Sequence, residues 1–318
     1  MAVNAFIFPG QGSQAVGMGR DLAASFAPAR HVFEEVDEVL KQKLSKLMFE
    51  GPSDELTMTE NAQPALMAVS LAVLRVLQQE GKLNLKEKIV LAAGHSLGEY
   101  SALAAVDAFS IANAAKLLKL RGLAMQKAVA PGLGAMAALL GVDLDMAKEI
   151  CAEAEDGPDG RETVSAANDN GGGQVVISGH KAAVERAIEI AKGKGVKRAM
   201  LLPVSAPFHC ALMAPAADAM AEAFANTPPH APVLPIIANV TAAKATDPNE
   251  IRDLLVRQVT ATVRWRESVE EMVKLGVTNF YEIGSGKVLS GLVKRITPDA
   301  AAMPVGSPAD IEAVLKVL

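Results

Sequence analysis

The sequence predicts an α/β protein in which a large domain of alternating strands and helices is interrupted by a small strand-rich unit. Three observations carry that expectation. Short apolar runs closed by glycine or proline alternate with longer helical stretches. Alanine is abundant and aromatic residues make up only 4% of the 318 residues, a composition suited to closely packed helices. In the middle of the chain the order of elements changes to β-α-β-β-α-β, the split βαβ order. The expected large domain is therefore discontinuous, 1–132 and 204–318, with an insert at 133–203.

The elements follow in chain order. Ala5 to Phe8 is a short apolar run closed by Pro9-Gly10 and reads as a buried strand. "GQGSQAVGMGRDL" is a loop feeding a helix, and Pro28 to Phe49 continues in a helical pattern. "NAQPALMAVSLAVLRVLQQEG" is the clearest helix, with Pro64 expected near its first turn and Gly81 as its stop. "KIVLAAGHS" is an apolar strand running into a turn, and "GEYSALAAVDA" is the helix after it. "SIANAAKLLKLRGLAMQKAV" is a further helix, ended by Pro131-Gly132. Within the insert, "GAMAALLGV", "TVSAAN", "QVVISG" and "KRAMLLPVS" read as strands. "DLDMAKEICAEAE" and "KAAVERAIEIAKGKG" read as helices, and "DNGGG" as a hairpin loop. This order is that of a ferredoxin-like unit. Beyond it come a strand in "PVLPIIANVTA", a helix from about Glu250 to Gln258, the helix "RESVEEMVKLG", the strand "NFYEIG" and the helix "KVLSGLVKRI".

Composition excludes several classes of function. Half of the residues are hydrophobic, ample for a packed core. The net charge of −5 argues against a nucleic-acid footprint, which needs a basic stripe. No uncharged apolar stretch is long enough for a membrane span, and the start "MAVNAFIFPGQG" lacks the pattern of a signal peptide. Cys151 and Cys210 match neither disulfide nor metal spacing, so a reducing cytoplasm is expected. "GSGK" at 284–287 hints at anion binding but lacks the spacing of a P-loop, and Val288 stands where Ser or Thr would be needed.

One stretch carries chemistry. Gly94-His95-Ser96-Leu97-Gly98 fits G-x-S-x-G between an apolar strand and a helix. A sharp turn there strains the serine backbone and holds its hydroxyl out. The small flanking residues let neighbouring backbone come close. The Leu97 N–H, at a helix N-terminus, is placed to bind an oxyanion. A serine nucleophile needs a base. Of the histidines, His31 lies in a polar helical stretch, His180 starts a surface helix, and His230 sits in the loop "TPPHAP". His95 adjoins the nucleophile, where the turn aims its ring away. His209, after a proline turn in "LPVSAPFHCALM", is the best base by elimination.

"FIFPGQGSQAVGMG", "GHSLGEYSAL", "RGLAMQ", "SAPFHCALM" and "FYEIGSGKVLSGLVKRI" together resemble the malonyl-CoA:acyl-carrier-protein transacylases of bacterial type II fatty acid synthesis, in the family's order from about Phe6 to Ile296. The resemblance implies an α/β-hydrolase-like domain carrying the ferredoxin-like insert. It implies Ser96 as nucleophile, His209 as base, and the backbone N–H groups of Gln11 and Leu97 as oxyanion hole. Arg121 would hold the substrate's carboxylate, and the backbone carbonyl of Gln258 would orient the histidine. Gln63 matches a family glutamine near the site, and Phe208 goes with malonyl rather than methylmalonyl groups.

The implied reaction is ping-pong. Malonyl-CoA acylates Ser96, and the malonyl group passes to the phosphopantetheine thiol of acyl carrier protein. No cofactor or metal is needed, because coenzyme A enters as part of the substrate. A histidine near its ordinary pKa of about 6.5 would serve both half-reactions. Lys192, Lys194, Lys197, Arg198, Lys294 and Arg295 are candidates for docking an acidic carrier protein. The rival readings are an acyltransferase of polyketide assembly, a serine thioesterase or esterase, and a non-catalytic acyl-binding protein. An esterase would expect an acidic third member of the triad and no buried arginine. Intact Ser96, His209 and Arg121 speak against a non-catalytic role.

Overall fold

Apolar runs with no polar alternation have to be covered on both faces, and they meet here in one parallel sheet. A computed structural model describes residues 2–158 and 160–318. Its larger sheet has six strands in the order Lys244–Ala245, Ile236–Ile237, Leu91–Gly94, Asn4–Phe8, Asn279–Ile283, Ala301–Val305. All neighbours are parallel except the first pair. Asn4–Phe8 runs down the middle, Phe8 level with Gly94 and Ile7 level with Glu282, so the strand ends that carry the loops share one edge.

Helices cover this sheet. Thr59–Gln79 is buried along nearly its whole length, which its alanines allow. It starts earlier than the sequence suggested, so Pro64 lies inside it rather than in its first turn. The expected helix over 28–49 is two, Ala27–Leu40 and Leu44–Glu50. The break falls at Lys41, whose φ of 50° closes the first helix, while Asp37 accepts bonds from the Ser45 N–H and hydroxyl. Ile111–Ala128 packs on Thr59–Gln79 at Gly122, where a Cβ would stand 2.5 Å from Glu60 Cα. That contact brings Arg121 against the turn that carries Gln63.

A second sheet has four antiparallel strands in the order Val164–Gly171, Gln174–His180, Gly134–Leu140, Arg198–Leu201. Its helices Leu144–Ala154 and Lys181–Gly193 bury their apolar stripes in a core of their own, including Leu139, Ile150, Val175 and Ala187. The first hairpin turn is tighter than "DNGGG" implied. Asp169 and Asn170 belong to the strand, and the turn falls at Gly172-Gly173, both at positive φ. The strand extends because its other edge is also paired. The Asp169 N–H donates to the Val263 carbonyl and the Val263 N–H to the Ala167 carbonyl. The Arg266 guanidinium adds an ion pair with the buried Asp169 at 2.9 Å.

The edge strand Ala301–Val305 and the helix Pro308–Val314 were not expected from the sequence, and the apolar helix expected to begin at His209 starts later, at Ala214, and runs to Asn226. The expected strand in "PVLPIIANVTA" shrinks to Ile236–Ile237. The helix Val288–Ile296 after "GSGK" has its first N–H groups occupied: Glu282, fully buried, accepts from the N–H groups of Leu289 and Ser290 at 2.9 and 2.7 Å. The anion expected at that helix start is the protein's own carboxylate. No described helix is long and apolar enough to cross a membrane.

Candidate active site

The strand Leu91–Gly94 leads through His95 to Ser96, and the helix Leu97–Ala105 begins directly after the serine. Ser96 adopts φ 54° and ψ −111°, a left-side conformation that a serine holds only when its surroundings force it. Both motif glycines are sterically required. A Cβ on Gly94 would lie 1.9 Å from the Gly98 carbonyl oxygen, and one on Gly98 would lie 2.2 Å from that of Phe8. The elbow is held from below: Asn239 accepts the Ser96 N–H through Oδ1 at 2.8 Å and donates from Nδ2 to the Gly94 carbonyl at 2.7 Å.

The residues named from the sequence converge on Ser96. Its Oγ is 2.7 Å from His209 Nε2, and His209 Nδ1 is 2.8 Å from the Gln258 carbonyl. A ring bonded this way carries its proton on Nδ1 and offers Nε2 as an acceptor. His209 itself sits at φ 58°, a second strained residue at the site. Arg121, 1% exposed, donates from Nη2 to Ser96 Oγ at 3.1 Å and to Gln258 Oε1 at 2.9 Å, and from Nη1 to Gln63 Oε1 at 2.8 Å. Its Cζ stands 5.5 Å from the centre of the Tyr100 ring. Its Nε–H has no partner among the described residues. Gln63 thus receives a definite position, holding the guanidinium.

These groups open on a cavity of about 480 Å³ lined by Gln11, Gln63, Ser96, Arg121, Phe208 and His209 from the large sheet's side. Asn168, Asn170, Gln174 and Val176 line it from the smaller sheet. Leu97 and Gln258 stand behind the wall; Leu97 opens the helix, so its N–H lacks an intrahelical acceptor. Gln11 sits in a loop drawn close to the elbow, because Gly10 leaves no Cβ to strike the His95 carbonyl at 2.8 Å. Its side chain donates to Thr59 Oγ1 at 3.3 Å.

The electrostatics differ from the sequence expectation in one respect. Burial first, and then the nearby Arg121 cation, push the His209 imidazole down to about 3. The histidine is therefore neutral at ordinary pH and free to accept a proton, rather than half-charged near 6.5. Burial also lowers the Arg121 guanidinium and raises the Glu99 carboxyl to about 7.

Asn239, Glu99, Asn168 and Asn170 were not expected at the site from the sequence. Asn239 and Glu99 lie beneath the elbow, Glu99 at 1% exposure. Asn170 reaches the site through His95, whose Nε2 is 2.9 Å from Asn170 Oδ1 and whose ring lies 5.7 Å from that of Trp265. His95 was set aside as the base because the turn aims its ring away; that ring is engaged by Asn170 and Trp265, in the seam between the two sheets. A run of polar residues in an otherwise apolar strand, "NDN" at 168–170, was the available signal for Asn168 and Asn170. Of the basic residues considered for docking, Lys192 and Lys194 are paired with Glu189 and Glu153. Arg295 reaches Gln174 at the cavity edge, at 3.4 Å.

The arrangement can attack an acyl carbonyl, shuttle one proton and hold an anionic acyl tail. Comparison with known proteins agrees. Residues 5–305 match the family model described as the acyl transferase domain. Malonyl CoA-acyl carrier protein transacylase of Escherichia coli is 46% identical over 98% of this chain and 99% of its own. An acyl-carrier-protein-S-malonyltransferase from Bartonella henselae superposes with a TM-score of 0.95 at 56% identity, covering 99% of both chains. A malonyl-transacylase solved in complex with a type II PKS acyl-carrier protein superposes with a TM-score of 0.95 at 42% identity over the full length of both chains. The chain belongs to the malonyl CoA-acyl carrier protein transacylase family of acyl transferases.

Proposed function

We propose that the chain moves the malonyl group of malonyl-CoA to the phosphopantetheine thiol of acyl carrier protein, through a malonyl ester on Ser96, to supply fatty acid synthesis. The observation that carries this reading is the buried Arg121 fork beside the nucleophile, 3.1 Å from Ser96 Oγ and with its Nε–H unused among the described residues. A guanidinium in such a place suits an acyl chain that ends in a carboxylate. An uncharged chain would leave it unpaired. The relatives' names support the substrate and the carrier protein.

Ser96 Oγ attacks the thioester carbonyl as His209 Nε2 takes its proton. The Leu97 and Gln11 N–H groups receive the developing oxyanion. Coenzyme A leaves with the proton from His209, and malonyl-serine remains. The carrier thiol then gives its proton to His209 and attacks the ester, and the same proton returns to Ser96. No acidic third residue is needed, since the Gln258 carbonyl fixes the imidazole tautomer. Burial is the larger cause of the depressed His209 imidazole and persists with substrate bound; a carboxylate on Arg121 offsets only the smaller one, the neighbouring cation.

No cofactor enters these steps. The fold reads as an α/β-hydrolase-like domain (1–132 and 204–318) with a ferredoxin-like insert (133–203), supported by the parallel sheet and by the 4-1-3-2 arrangement of the small one. A cytoplasmic setting fits a coenzyme A substrate. The structural likeness to the malonyl-transacylase bound to a type II PKS acyl-carrier protein favours a second destination for the same malonyl group, a polyketide carrier. Mass spectrometry after brief exposure to malonyl-CoA tests the reading. A malonyl adduct on Ser96 that transfers to acyl carrier protein is expected; release of free malonate without an adduct would make the protein a hydrolase.

A further inference from the structure

Glu99 is a carboxyl group at 1% exposure that the reaction steps leave unused, one helical turn past the nucleophile. Burying such a group is costly unless its oxygens are engaged. Its Oε2 accepts two bonds, from the Asn239 backbone N–H at 3.1 Å and from Gln258 Nε2 at 2.8 Å. The second bond decides which way the Gln258 amide faces. With Nε2 turned to the carboxyl group, and also donating to the Ser96 carbonyl at 3.0 Å, the amide oxygen must face the other way. There it accepts from Arg121 Nη2 at 2.9 Å. The other amide on the guanidinium, Gln63, has no such anchor among the described residues, where its Nε2 meets the Met125 sulfur at 3.6 Å.

We propose that Glu99 is a positioning residue for acyl selectivity: it locks the Gln258 side-chain amide in the one orientation that offers Arg121 an acceptor, and so aims the guanidinium at the acyl carboxylate. The proposal rests on the reading of Arg121 as the carboxylate-binding cation. Without the lock the amide can rotate and present its NH₂ group to the guanidinium, and the fork turns away. Transfer of an uncharged acyl group needs no such aim. Glu99 therefore acts on the ratio between charged and uncharged substrates, whereas a residue that merely stabilised the elbow would lower both together.

The test is the rate of Ser96 acylation by malonyl-CoA and by acetyl-CoA, followed by mass spectrometry on the whole chain. Glu99→Ala is expected to lower the malonyl-to-acetyl ratio by about tenfold or more. Glu99→Gln, whose amide oxygen can still accept from Gln258, is expected to stay within about threefold of the native ratio. If the alanine variant does not fold, Glu99→Asp replaces it, since a side chain shorter by one methylene cannot reach Gln258 and should lower the ratio in the same sense. An unchanged ratio in the alanine or aspartate variant overturns the proposal, as does a glutamine variant as unselective as they are. Arg121→Ala runs alongside. If it leaves the ratio intact, the reading of Arg121 fails. If it collapses the ratio while Glu99→Ala does not, only the role of Glu99 fails.

Discussion

The two sheets do different work at one cavity. The parallel sheet delivers Ser96 from a strand end, and its flanking segments bring Arg121, His209 and Gln258, all at 4% exposure or less apart from the serine. The antiparallel sheet supplies Asn168, Asn170, Gln174 and Val176, a wall of amides and one aliphatic group. None of these wall groups touches the Ser96 hydroxyl. The reacting groups and the cation for the acyl tail are thus held by one region, while the other adds a neutral wall to the same space.

Substitutions sharpen the division, and the largest effect belongs to the parallel sheet. Ser96→Ala should abolish covalent labelling by malonyl-CoA, read as the absence of an acyl adduct in the mass spectrum. Arg121→Ala comes next. Truncating one partner of a buried charge pair costs about 2–5 kcal/mol, or about 30-fold to several thousand-fold in acylation by malonyl-CoA. Acylation by acetyl-CoA should fall far less, and equal losses would deny the arginine its role.

The third test is pH. With His209 held down to about 3, the base stays unprotonated, and the malonyl acylation rate should remain level from about pH 8 to about pH 5. A fall centred near 6.5 would show an unshifted imidazole. The same shift sets a sign for stability. The unfolded chain takes up a proton at this histidine below about 6.5 and the folded chain does not, so folding stability drops as pH falls from about 6.5 towards 3. His209→Gln should lose less over that window, seen as a smaller decline in Tm.

The smallest effect should come from the wall. Asn170→Ala removes one neutral hydrogen bond, to His95, and should weaken malonyl-CoA and acetyl-CoA alike by about two- to tenfold, mainly in KM. A loss confined to the malonyl substrate would move the antiparallel sheet into the selectivity machinery.

The sequence made the elbow legible because its physics is local: two glycines, a strand before and a helix after. His209 was reachable because few histidines compete for the role. The Gln258 contact could come only from resemblance, since any residue carries a carbonyl and nothing in "VRQVTATV" marks this one. Asn239 and Glu99 were out of reach for a different reason. Asn239 meets Glu99 and Ser96 across 140 and 143 residues of chain, a closeness that periodicity does not encode. The edge strand Ala301–Val305 was hidden by Pro304, which an edge position tolerates because one side of the ladder is empty. The depressed imidazole depended on how deep His209 lies and on what stands beside it, and composition reports neither.

The stitch between Ala167, Asp169 and Val263 has a mechanical meaning. The stretch it grips is the continuation of the chain that ends the helix Pro248–Gln258, where the carbonyl tethering the imidazole resides. Floor and ceiling of the pocket are therefore tied together through one short turn of backbone, 259–263, so the ladder edge of the small sheet and the acceptor that orients the imidazole lie within five residues of each other.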